Sequence, residues 1–101
     1  MDEQERVAEF LAAHDLHAPT AYRLLDLCSE LGELAKEVNT STGYGANPEA
    51  VAIADDELGD ALFALLALAE EVDLDAGAAL DAALSKYEAR LAEGETPGSG
   101  K

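Results

Sequence analysis

Between Asp60 and Glu70 the chain carries Ala61-Leu-Phe-Ala-Leu-Leu-Ala-Leu-Ala69, nine residues without a polar side chain. The run is too short to span a bilayer. A helix that is apolar all round is buried all round, so this segment predicts the centre of a core. It is entered through Glu57-Leu-Gly-Asp60, and an equivalent frame, Glu30-Leu-Gly-Glu33, lies upstream. Residues three apart on a helix share nearly one face, so each frame presents two carboxylates side by side. Carboxylates at a core edge repel one another and need a partner. Six Lys and Arg cannot neutralise twenty-two Asp and Glu, which points to a divalent cation. Oxygen-only ligands favour Mg²⁺, often held together with substrate phosphates.

The chain has 101 residues, one small domain's worth, and 49% of them are apolar, so the acid excess does not read as disorder. With a formal charge of −16 and a pI near 4.1, the surface repels nucleic acid and anionic membranes. The charge balance resembles that of proteins from salt-loving organisms, such as a halophilic archaeon, where ionic strength screens self-repulsion. The N-terminal Met-Asp-Glu-Gln-Glu lacks the pattern of a secretory signal, and a cytoplasmic location is expected. Cys28 is the only cysteine, so no intrachain disulfide forms; it lies on an apolar stripe and is expected in the core.

Helical spacing predicts four helices and no strands. Residues 2–14 form a short amphipathic helix with Val7, Phe10 and Leu11 on one face. Thr20 is the expected, imperfect cap of a second helix running to about residue 39. Its apolar stripe is Leu24, Leu27, Cys28, Leu31, Leu34 and Val38, and Asp26, Glu30, Glu33 and Glu37 form a second, acidic stripe. Residues 39–48 read as a loop. Asn47 and Pro48 are expected to start a third helix reaching Val72, with Leu58, Leu62, Leu65, Leu66 and Ala69 on its core face. Ala64 and Ala67 continue the acid-bearing face, which is expected to pack on a second subunit. Asp73 or Asp75 starts a fourth helix, ending near Gly94 with Leu80, Leu84, Tyr87 and Leu91 inward; residues 95–101 read as a flexible tail. The predicted architecture is an all-α antiparallel bundle of about four helices, assembled as a homo-oligomer, dimer or tetramer.

A bare acidic pair means little here, because twenty-two acids in 101 residues give about five such pairs at spacing three by chance. Context raises these two: a shared frame, adjoining apolar stripes, and the apolar run behind the second. The extended pattern Leu27-Cys-Ser-Glu30-Leu-Gly-Glu33-Leu-Ala-Lys-Glu37, followed by Asp56-Glu57-Leu-Gly-Asp60 and the apolar run, closely resembles the MazG-type all-α nucleoside triphosphate pyrophosphohydrolases. The resemblance continues through Val72-Asp-Leu-Asp75, Ala79-Leu80 and Lys86-Tyr87-Glu-Ala-Arg90, covering about residues 20–91 of a domain set at 1–94.

That resemblance implies a Mg²⁺-dependent hydrolase that cleaves a nucleoside triphosphate between the α and β phosphates, with a role in limiting surplus or non-standard nucleotides. It places Glu30, Glu33, Glu57 and Asp60 as metal-binding and catalytic carboxylates, with Glu37 a weaker outer candidate. Lys86 and Arg90, four apart on one helix face, match basic residues near the phosphates or form surface ion pairs. Lys36 reads first as a surface lysine and second as a phosphate contact. Tyr44 reads first as a loop tyrosine and second as a base-stacking ring. With no tryptophan, an indole platform is excluded. His14 and His17 are expected to face solvent. The alternatives are phosphoribosyl-ATP pyrophosphohydrolase, of the same superfamily, and a non-catalytic acidic helical interaction module. Screening should stabilise a chain of this charge. The melting temperature is therefore expected to be higher in molar KCl than at low ionic strength, and equal melting points would remove the salt-loving reading.

Overall fold

The computed structural model describes residues 2–94; the tail expected at 95–101 lies outside the described residues. The order is α1 (Asp2–Ala13), α2 (Thr20–Ser41), a 3₁₀ turn (Pro48–Ala50), α3 (Asp55–Glu71) and α4 (Ala76–Ala92). No strand occurs among the described residues, and none of the helices is long and apolar enough to cross a membrane.

The helix ends have local causes. After α1, Asp15 takes a left-handed conformation, and Leu16 N donates to Leu11 O at 2.9 Å. After α3, Asp73 does the same, with Leu74 N donating to Ala69 O at 3.0 Å. After α2, Gly43 is left-handed and Tyr44 N donates to Asn39 O at 2.6 Å. All three close the last turn by the six-to-one bond that satisfies carbonyls left over at a helix end. Asp75 caps α4, its carboxylate accepting from Ala78 N at 3.1 Å.

Two expected helix starts are corrected. Thr20 is already helical; Pro19 occupies the cap position and makes no side-chain cap bond. Asn47 makes none either, and Pro48 opens only the 3₁₀ turn, so α3 begins at Asp55. The intervening segment is tied to α2 instead. Ser41 Oγ accepts from Ala52 N at 3.0 Å, and Glu37 Oε1 accepts from Ala54 N at 2.9 Å. These bonds hold the start of α3 beside the end of α2, while Arg23 near the start of α2 meets Glu71 at the end of α3. The two helices are therefore antiparallel, and they form the main packed interface; α1 packs on α3.

The core face of α3 is only partly the expected one: Leu66 is buried as expected and Ala69 half-buried, but the face is turned toward the small residues. Ala61, Ala64, Leu66 and Ala67 are buried, Ala67 to 1% exposure. Leu58, Leu62 and Leu65 remain 60%, 45% and 47% exposed. The small side chains let α2 approach closely, so the acid-bearing face of α3 packs within the chain rather than on a second subunit. Other expected core positions are also at the surface: Leu24, Leu31, Cys28, and on α4 Leu80, Leu84 and Leu91. The helix α4 makes only sparse contacts with the others. What fixes its start is Gln4, buried in α1. Its amide nitrogen donates to Glu70 Oε2 and to Leu74 O, both at 2.8 Å, and its carbonyl oxygen accepts from Ala76 N at 2.7 Å.

The surface is 7147 Å², against about 5,400 Å² for a compact monomer of this mass. Leucines at i, i+4 and i+7 of α3 make an apolar stripe that a single chain leaves in water. The expected outcome of sedimentation at micromolar protein in molar KCl is a dimer or larger. The double substitution Leu62→Asp with Leu65→Asp should give a monomer.

Candidate active site

The acidic stripe of α2 faces α3. Of its members, Glu30 and Glu37 are half-buried while Asp26 and Glu33 are exposed; on α3, Glu57 is half-buried and Asp60 exposed. Burial follows from the alanine contact. Close approach of the two helices draws the flanking carboxylates into the seam.

Glu57 is the electrostatic centre of this seam. Its Oε2 has no solvent contact and no hydrogen-bond partner among the described residues. Burial pushes its carboxyl above the ordinary value, and repulsion from Glu37, Asp56, Glu33 and Asp60 pushes it further in the same direction. A desolvated carboxylate among four like charges is a position that a cation would relieve. The donor set is all oxygen, which suits a hard divalent ion. Within one chain the carboxylates are gathered but not closed: among the described residues no group of three or more His, Cys, Asp or Glu is arranged to hold a metal ion.

A cleft of about 400 Å³ opens beside the seam. Glu30 and Asp60 line it together with Asp26 and Arg23, and its wall is Phe63, Ala64 and Ala67. The structure thus brings Glu33, Glu57 and Asp60 into one electrostatic neighbourhood and sets Glu30 against Asp60 across the cleft. Glu37 has a structural task as well, since it holds the amide of Ala54.

The proposed substrate residues lie elsewhere in the chain. Lys86 and Arg90 sit on α4, and neither lines the cleft. The ammonium of Lys86 rests 5.0 Å from the ring centre of Tyr87, and Arg90 is half-buried. Lys36 is exposed. Tyr44 is 81% exposed and left-handed between two left-handed glycines. His14 and His17 are exposed as expected, the first against Phe10 and the second 3.1 Å from Asp15.

Arg23 is the residue that reasoning from the sequence missed. It precedes Asp26 by three positions and so extends the acidic stripe backwards with a cation, which was the available signal. It is buried to 8% exposure.

The family model described as the MazG nucleotide pyrophosphohydrolase domain matches residues 20–93. The uncharacterized protein YpjD of Bacillus subtilis (strain 168) is 40% identical over 68 residues, which are 63% of this chain. The chain spans 60% of the length of that relative. No solved structure matches at a significant level.

The raised pKa of Glu57 sets a pH dependence. Between its ordinary and its raised value the folded state binds more protons than the unfolded state, so stability falls as pH rises through that window. Above the window Glu57 is ionised in both states and its penalty is complete. In metal-free protein Glu57→Gln is therefore expected to raise the melting temperature at pH 7, and to lose that advantage near about pH 3.5, where the carboxyl is protonated in both states.

Proposed function

The chain belongs to the MazG nucleotide pyrophosphohydrolase domain family, and from that premise we propose that it is a Mg²⁺-dependent nucleoside triphosphate pyrophosphohydrolase. In this reading residues 1–94 are the catalytic domain. A nucleoside triphosphate is cleaved between the α and β phosphates to monophosphate and pyrophosphate, in the cytoplasm, in a role that limits surplus or non-standard nucleotides.

The observation that carries the reading is Glu57: a half-buried carboxylate with one desolvated, unpartnered oxygen, ringed by Glu37, Asp56, Glu33 and Asp60. Glu30, Glu33, Glu57 and Asp60 hold the ion. Bound there, Mg²⁺ supplies Lewis-acid polarisation of phosphoryl oxygens and offsets the charge that would otherwise repel the substrate. The protein's own part is to keep the four carboxylates in register. The antiparallel alanine contact does this along the seam, and the Glu37 bond to Ala54 does it at the entrance of α3.

In the same reading Lys86 and Arg90 contact phosphates, with Lys36 and Tyr44 as further substrate contacts. Because α4 packs only sparsely on its own α2 and α3, Lys86 and Arg90 meet a cleft most simply across a homo-oligomer. A second reading, a non-catalytic acidic interaction module, is favoured by one observation: no three carboxylates close around a point within one chain among the described residues.

The test compares two substitutions of equal charge on α3. Asp60→Asn removes a ligand, whereas Asp55→Asn removes a charge about 140° away around the helix axis. Loss of even an outer-shell partner costs roughly 10–100-fold, so Asp60→Asn is expected to lower pyrophosphate release by about 100-fold or more. Asp55→Asn should leave release unchanged. Equal, unaffected turnover and Mg²⁺ affinity in both would transfer the assignment to the interaction module.

A further inference from the structure

Two helices of the chain carry one and the same apolar pattern. On α3 it runs Leu58, Leu62, Leu65, Ala69; on α4 it runs Leu80, Leu84, Tyr87, Leu91. Both repeat at intervals of four, three and four, the seam spacing of two helices packed side by side, and each is about 16 Å long. Neither seam is closed within the chain. Leu80, Leu84 and Leu91 are 50%, 51% and 58% exposed, as open as the leucines of α3, and contact between α3 and α4 is sparse. Gln4 fixes the turn from which α4 departs, through its bonds to Glu70, Leu74 and Ala76, and α4 leaves without covering its own α3. The radius of gyration is 16.5 Å, against about 13 Å for a compact chain of this length.

Charge restricts what can lie on the α3 stripe. Helix α3 carries six carboxylates and no cation, so a second α3 laid against it would double that count. Helices α1 and α2 are net acidic as well. Only α4 is balanced, with Asp81 and Glu88 against Lys86 and Arg90. The direction of approach follows from the same charges. At the C-terminal end of α3, Glu70 and Glu71 already have donors in Gln4 and Arg23. The other end carries Asp55, Asp56, Glu57 and Asp60. Lys86 and Arg90 lie in the second half of α4, where they outnumber Glu88. An antiparallel approach brings that half to the acidic end of α3 and sets the two helix dipoles in opposition.

We propose that the α3 stripe of each chain is covered by α4 of a second copy of this chain, packed antiparallel and reciprocally about a two-fold axis. A four-three-four repeat reads the same in both directions. One register therefore seats Leu58 on Leu91, Leu62 on Tyr87, Leu65 on Leu84 and Ala69 on Leu80 of the partner helix. This assigns which surface of one copy meets which surface of the other, and it stands independently of the hydrolase reading.

The test is cross-linking by engineered cysteines, with the exposed native cysteine removed by Cys28→Ser. Full chains carrying Leu65→Cys and full chains carrying Leu84→Cys are combined at low ionic strength, brought to molar KCl and oxidised. The mixture is expected to give a disulfide-linked dimer, and neither variant alone should do so. A linked dimer from Leu65→Cys alone, or from Leu84→Cys alone, overturns the proposal, because like helices then face each other. So does the absence of any link in the mixture. So does a chain carrying both cysteines that closes only on itself, since its own α4 then covers its α3. The second measurement needs no disulfide. Leu80→Asp with Leu84→Asp alters only exposed positions of α4. It is expected to keep the helical circular dichroism of the parent chain and to sediment as a monomer in molar KCl. A folded variant that still forms the parent's dimer overturns the proposal, and if this variant does not fold, the cysteine mixture alone decides.

Discussion

The close contact between the alanine face of α3 and the stripe of α2 that starts at Arg23 organises the molecule. Ala61, Ala64 and Ala67 have no bulk beyond Cβ, so the two backbones approach and whatever flanks the contact is drawn into the seam. What flanks it is charged. Glu30, Glu37 and Glu57 are half-buried for this reason, and Arg23 is buried outright. An interface of leucines would have kept the helices further apart and the carboxylates in water. The acidic site is thus a by-product of small side chains, and the repulsion within it is sustained by the packing behind it.

The repulsion is also contained by backbone bonds. Glu37 would be a fourth free carboxylate beside Glu57, but its oxygen is engaged by the Ala54 amide. That bond anchors the segment leading into α3, whose first turn carries Asp55, Asp56 and Glu57 where the helix dipole favours negative charge. At the other end of the seam Arg23 joins the α1–α2 connection, through Leu16, to Glu71. The seam is therefore pinned at both ends, while Glu57, in the first turn of α3 beside the Ala54 pin, stays electrostatically unrelieved.

Much of this was legible in the residues. The four helices, their approximate bounds and the two carboxylate frames follow from apolar spacing and from the Gly, Pro and Asn of the connections. The side on which α3 packs was not legible, because both of its faces are apolar and periodicity does not distinguish Leu58, Leu62 and Leu65 from Ala61, Ala64 and Ala67. Size decided it: one chain buries the small face against α2 and has too few helices to cover the large one. The start of α3 was misread because Pro48 does open a helical turn, yet Val51-Ala-Ile-Ala54 is held extended by Ser41 and Glu37, far away in sequence. Of the site, the four carboxylates stood out as a pattern, while Arg23 did not: its spacing of three from Asp26 continues the stripe, but its opposite charge sets it apart from the acids that mark the stripe.

The buried Gln4 bears on modularity. The stretch that matches the family model begins at residue 20, yet Gln4 supplies partners to the Glu70 carboxylate, the Leu74 carbonyl and the Ala76 amide, all inside that stretch. Excision at the family boundary would strip three polar groups of their bonds at the turn from which α4 departs, and would uncover Leu66 and Phe63 where α1 lies. The stretch that matches the family model and the hydrogen-bonded, packed unit are therefore different objects in this protein. The first helix, which carries none of the carboxylates of the seam, sets the direction in which the last one leaves.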